Sequence, residues 1–134
     1  MTIDAADAMH VAAFRTALRA FLRKSERLAR ANGLTPQRHL LLLMIKGAPD
    51  GSEQATITDL AARLQLAQST VTELVSRAED VGLLERERST SDGRVAHLRL
   101  TAEGERRLAQ VFDSHEEERE QLLELLLQAS HQTH

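Results

Sequence analysis

TDLAARLQLAQSTVTELVSRAEDVGLLERER, residues 58–88, decides the architecture. It holds two helical patterns three residues apart. Thr58 is placed to cap a short helix over Asp59–Leu64, and Gln65, Leu66 and Ala67 make the turn. The second helix runs to about Val81. Within it Val71, Leu74, Val75 and Ala78 fall at i, i+3, i+4 and i+7, a single apolar face. With that face inward, Ser69, Thr72, Glu73 and Ser76 point outward, Thr70 and Arg77 flank them, and Gln68 opens the helix. Gly82 stops it, as glycine does at helix C-termini. Two alternating segments follow, Leu83–Arg88 and Val95–Leu100. The Asp92-Gly93 pair between them signals a hairpin.

Helix, short turn, helix and hairpin make a winged helix-turn-helix, in which the second helix can enter a DNA major groove while the first braces it. The outward hydroxyls can approach phosphates and base edges closely, although any surface helix also shows a polar face. Arg86, Arg88 and Arg94 bracket a hydroxyl-rich hairpin tip suited to phosphates or a minor groove. Glu85, Glu87 and Asp92 offer Arg86 and Arg88 ion-pair partners instead. The segment Thr58–Leu100 carries six basic and seven acidic residues. The order of the elements, rather than charge, therefore points to DNA. Glu73 has two uses: accepting from a cytosine amino group, or pairing with Arg77 one turn on.

Working outward, Asp4 to Ala31 lacks proline and glycine and is rich in Ala, Arg and Leu. Val11, Phe14, Leu18, Phe21 and Leu28 form a narrow seam suited to a partner helix. Thr35 caps a second helix with Pro36 at its first position. From His39 to Ile45 that helix is apolar almost all round, which predicts burial. Ala55-Thr56-Ile57 reads as a short extended piece. Beyond the hairpin, Thr101 caps a long helix continued by Leu108, Val111, Phe112 and Leu122–Leu127. The expected architecture is mostly α with a small β-hairpin wing, one domain over 1–134. The winged helix-turn-helix spans about 35–100, and dimerisation helices span about 4–31 and 102–129.

LTPQRHLLLLMI (34–45) and the run from Thr58 to Gly104 resemble the multiple-antibiotic-resistance regulator (MarR) family. The most specific parts are Gly82-Leu83-Leu84-Glu85-Arg86, Asp92-Gly93-Arg94 and Leu100-Thr101-x-x-Gly104. The resemblance implies a homodimer held by the terminal helices, with recognition helices in successive major grooves of a pseudo-palindromic operator. It implies that Arg94 reaches the minor groove and Asp92 helps hold the wing. It also implies a pocket for a small aromatic or amphipathic effector between dimer helices and DNA-binding lobe, near Arg15 and His39. The chain departs from the family pattern at Gln65, where glycine is frequent, at Ala67, where a hydroxyl cap is common, and at Glu73, often basic. A further C-terminal helix is expected to be absent or vestigial.

Composition narrows the chemistry. At 134 residues, 42% hydrophobic and 28% charged, the chain is one ordinary globular domain. Without cysteine there are no disulfides, thiolate metal sites or thiol peroxide sensors. No apolar run approaches the ~20 residues needed to span a bilayer and no signal-peptide pattern appears, so the expected location is the cytoplasm. The net charge of −3 hides segregation, with six basic residues from Arg15 to Arg30 and eight carboxylates from Glu103 to Glu124. The histidines lack metal-ligand spacing, and His39 suits either a core hydrogen bond or an effector contact. No catalytic or nucleotide-binding motif can be placed, so neither catalysis nor a cofactor is expected. Two readings remain: an effector-released DNA-binding repressor, or a winged-helix module that binds protein.

Overall fold

The computed structural model describes residues 1–88 and 95–131. The order is α1 (Ala5–Ala31), α2 (Pro36–Lys46), α3 (Ile57–Leu64), α4 (Gln68–Asp80), β1 (Leu84–Arg88), β2 (Ala96–Leu100), α5 (Ala102–Asp113) and α6 (Glu116–His131). The strands pair antiparallel from Leu84 opposite Leu100 to Arg88 opposite Ala96. Ala55 adds one further bridge, exchanging hydrogen bonds with Leu98 at 3.1 and 2.8 Å. The extended piece before α3 is thus the third edge of the wing sheet. The core gathers Leu41, Leu42 and Ile45 of α2, Leu60 of α3, Val71 and Val75 of α4, then Leu83, Leu98 and Val111, all fully buried.

Helix starts follow the capping chemistry. Thr35 accepts the Arg38 N–H at 3.1 Å with Pro36 leading α2. The cap of α3 is Thr56, not Thr58. Thr56 and Asp59 form a reciprocal capping box, Asp59 N–H to Thr56 Oγ1 at 3.1 Å and Thr56 N–H to Asp59 Oδ2 at 3.4 Å. Two orphan donors are satisfied together there, which a cap at Thr58 would not achieve.

Three other expectations need correction. Helix α2 is not buried all round, since Leu40 and Leu43 are 41% and 37% exposed. The α1 seam is partly used within the chain: α1 packs against α6, with Phe14, Leu18 and Phe21 half-buried and Val11 exposed. The long C-terminal helix is two helices, so α6 supplies the further helix expected to be missing. At the break His115 turns inward, 4% exposed, and stacks on Phe21 with ring centroids 4.1 Å apart. Arg119 Nη1 donates to the Phe112 carbonyl at 3.0 Å, satisfying an acceptor at the end of α5. Lys24 of α1 pairs with Glu118 of α6 beside this stack. No helix among the described residues is long and apolar enough to cross a membrane.

Candidate nucleic-acid interface

Helix α4 is held from both ends. On the α3 side, Arg63 donates to the Met44 and Gly47 carbonyls at 2.6 and 3.2 Å, locking α3 onto the C-terminus of α2. The turn between α3 and α4 passes through Gln65 in the left-handed region, φ +57° and ψ +46°. A side chain costs about 1–2 kcal/mol there relative to glycine. Leu66 N–H closes the turn on the Ala61 carbonyl at 3.1 Å. Ala67 caps α4 without a side-chain hydrogen bond, leaving first-turn amides open to another acceptor.

Val71, Val75 and Ala78 are fully buried, and the opposite face is open. Gln68, Ser69, Thr70, Thr72, Glu73, Ser76 and Arg77 are all exposed on it. The Thr72 hydroxyl donates back to the Gln68 carbonyl at 2.9 Å, so toward solvent it presents acceptor capacity. Glu73 and Arg77 form an i,i+4 ion pair at 2.5 Å, each side chain 63% exposed.

The base of the wing is tied to this helix. Arg86 Nε donates to Glu79 Oε1 at 2.8 Å, joining β1 to α4. Glu79 was not among the partners expected from sequence. Its meeting with Arg86 depends on β1 turning back beside α4 at Gly82, which has φ +77°. Glu87, one expected partner, is instead taken across the hairpin by Arg99 at 2.9 Å. For Arg88 only the backbone is described, opposite Ala96. The roles expected of Asp92 and Arg94 fall outside the described residues.

Where the wing leaves, the structure explains the Leu100-Thr101-x-x-Gly104 pattern. Thr101 Oγ1 accepts the Gly104 N–H at 3.1 Å and donates to the Gly82 carbonyl at 2.6 Å. Thr101 N–H donates to the Leu83 carbonyl at 3.1 Å. A Cβ on Gly104 would lie 2.3 Å from that same carbonyl oxygen. The end of α4 and the start of α5 are therefore stitched together at one point. Behind it, Glu103 accepts from Arg106 and Arg107, which hold its carboxyl down at about 2. Arg107 also reaches the Gly33 carbonyl at 3.1 Å.

The two effector candidates sit apart. Arg15 is exposed and lines a groove along α1 with Phe14, Leu18 and Arg19. His39 is half-buried on α2, its pKa lowered first by burial and then by the charge of His115. No hydrogen bond or ion pair joins the two among the described residues. No group of three or more His, Asp or Glu there could hold a metal ion.

Helices α3 and α4 with the β1–β2 hairpin thus compose a winged helix-turn-helix. Residues 32–95 match the sequence model of the MarR family. Over 62 residues, 46% of this chain, it is 37% identical to YsmB of Bacillus subtilis, an uncharacterized HTH-type transcriptional regulator. That stretch spans 42% of the relative's length. The transcriptional regulator Tm0710 of Thermotoga maritima superposes with a TM-score of 0.66 at 28% identity, over 81% of this chain and 73% of that one. Sco3205 of Streptomyces coelicolor, a MarR family transcriptional regulator solved in complex with DNA, superposes at 0.65 with 22% identity, over 91% and 76%. Over residues 32–95 the chain is thus similar to the MarR family, and its fold is that of the solved regulators above.

Proposed function

We propose that the protein is a dimeric, cytoplasmic DNA-binding transcription regulator, a repressor released by a small aromatic or amphipathic effector. The observation that carries the reading is α4, whose hydroxyl-rich face stands fully exposed while its apolar face is locked into the core. Gln68, Ser69, Thr70, Thr72, Ser76 and Arg77 meet the major groove, and Glu73 reads a base or steadies Arg77. The uncapped N-terminus of α4 meets a phosphate. Arg86, Arg88, Asp92 and Arg94 form the wing contact. DNA bound to the related Sco3205 supports this assignment.

Dimerisation through the terminal helices is supported by what they leave open. Met9, Val11 and Leu22 of α1 are exposed, as are Leu123 and Leu126 of α6. Arg15, Arg19, Arg23 and Arg27 repeat every four residues along α1 with no ion pair among the described residues. Glu116, Glu117, Glu120 and Glu124 on α6 are likewise exposed and unpaired there. A second copy can cover the apolar positions and match the two charged rows. Arg15 and His39 are the residues proposed to meet the effector. The 1–134 chain acts as one such unit, with 35–100 on DNA and the terminal helices on the partner protomer.

The test is selection of bound duplexes from a random pool, followed by titration of the enriched sequence at several salt concentrations. The reading expects a pseudo-palindrome and affinity falling steeply with salt. A protein that enriches no duplex even at low salt would instead be a winged-helix module for a protein partner.

A further inference from the structure

We propose that the buried His115 ring is a proton-operated latch that fastens α1 to the α5–α6 break at neutral pH and loosens on mild acidification. His115 sits at the α5–α6 break, where three layers meet. Its ring stacks on Phe21 of α1, and His39 of α2 lies near enough to be affected by its charge. Helix α2 in turn packs on α3 and α4. The imidazole is 4% exposed, and its Nε2 has no hydrogen-bond partner among the described residues. A neutral ring tolerates that position at modest cost. An imidazolium carries two N–H donors, and among the described residues no acceptor lies within hydrogen-bond distance of Nε2.

Burial leads in opposing protonation, and the charged neighbours act in both directions. Lys24 of α1, Arg119 of α6 and His39 of α2 are cations or become cations. Glu118 of α6 favours the charged ring; its Oε1 is engaged by Lys24, and its Oε2, though buried and without a partner among the described residues, makes no hydrogen bond to the ring. The Phe21 face can receive a cation yet supplies no hydrogen-bond acceptor. Burial is the leading cause that lowers both histidines from their ordinary value of 6.5. For a histidine depressed in the folded state, the unfolded chain takes up protons first. Stability is therefore full above pH 6.5 and declines as pH falls below it, until the lower folded pKa is passed. Glu103 works in a separate window, between its ordinary 4.5 and about 2, so a loss between pH 6.5 and 5.5 belongs to the histidines.

The experiment compares the full chain with His115→Phe, which keeps an aromatic ring against Phe21 and removes the proton site, and with His10→Gln as control. Unfolding midpoints are measured from pH 7.5 to 5.5 at fixed protomer concentration. The wild type and His10→Gln should lose a few degrees, roughly 2–8 °C, over that range, and His115→Phe should lose clearly less. Ring resonances of the wild type, followed by NMR, should place the His115 midpoint below 6.5. A His115 ring titrating at or above 6.5, or a His115→Phe profile that tracks the wild type, overturns the latch. If His115→Phe does not fold, the wild-type titration alone decides. An operator-binding arm rests on the DNA reading: affinity should fall with the same pH profile. Absence of DNA binding at pH 7.5 would count against that reading, while the latch is judged by unfolding and NMR.

Discussion

Substituting Gly104 with alanine tests the join between wing and terminal helices most directly. Its backbone is not in the left-handed region, so the new methyl group adds no torsional strain and the cost is steric. The Cβ would lie 2.3 Å from the Leu83 carbonyl oxygen, and reaching 3.0 Å requires the start of α5 to retreat by roughly 0.7 Å. That retreat stretches the Thr101 N–H bond to Leu83 and the Thr101 hydroxyl bond to Gly82, now 3.1 and 2.6 Å. Overpacking of this kind costs about 1–3 kcal/mol, and each weakened hydrogen bond up to about 1 kcal/mol more. Gly104→Ala should thus lose about 2–4 kcal/mol. In urea, with an m-value of about 1–3 kcal/mol/M, the midpoint would move by about 0.7–4 M. The control is Gly51→Ala, where φ is +75° but nothing lies within 4 Å, so only a backbone cost of about 1–2 kcal/mol applies. Both are measured at one protomer concentration, because the proposed dimerisation would feed into apparent stability. A Gly104→Ala protein within about 0.5 kcal/mol of wild type would refute the close approach.

Other outcomes follow from neighbouring contacts. Gln65→Gly should stabilise the fold by about 1 kcal/mol by relieving the left-handed side chain, with urea unfolding as the check; an unchanged or lower midpoint would show that the Gln65 conformation carries no strain. Arg94→Ala should weaken binding to all duplexes and lower the slope of log affinity against log salt by about one unit; an unaltered slope would remove the wing tip from the contact. Reversing the α1 row with Arg19→Glu and Arg23→Glu should shift sedimentation from dimer toward monomer, whereas an unperturbed dimer would place the interface elsewhere. Glu73→Ala should relax discrimination at one base pair per half-site if Glu73 reads a base, as titration of singly substituted operators would reveal; a uniform shift across sequences would leave only its pairing with Arg77.

What was legible in the sequence is what local chemistry determines. Thr35 with Pro36, the spacing Val71–Leu74–Val75–Ala78, Gly82 and Thr101 each act within a turn of helix, and each element appears where they placed it. The misjudged features depend on what the chain meets elsewhere. Nothing near Thr58 reveals that Ala55 will bridge Leu98, which draws the start of α3 back to Thr56. The seam on α1 was read correctly as a helix-facing stripe, but periodicity cannot say whose helix it faces, and part of it meets α6 of the same chain. The α5–α6 break has no glycine or proline to announce it. It is marked by His115, whose inward turn is fixed by a ring ninety-four residues earlier in the chain, Phe21. At the interface, the exposed face of α4 was readable in full, whereas the partner of Arg86 required the fold of β1 against α4.

The near-neutral winged segment then takes on a physical sense. Besides Arg99, held by Glu87, two of its described cations are already ion-paired in the free protein, Arg77 by Glu73 and Arg86 by Glu79. For either to meet a phosphate it must share or leave a carboxylate, and the exposed Glu73–Arg77 pair is worth only about 0.2–0.5 kcal/mol, so exchange there is cheap. The Glu79–Arg86 pair is different, because Glu79 is only 27% exposed and the contact braces the wing against α4. Breaking it would cost the wing its orientation as well as an ion pair. Arg86 would thus make its proposed wing contact while still bound to Glu79, and Arg77 is the residue free to change partners. On the proposed DNA reading, non-specific attraction to duplex is low, since few cations stand unpaired on that face among the described residues. Under that reading, binding would draw on the fit of the α4 hydroxyls and amides to a particular groove, making discrimination between sequences large relative to total affinity.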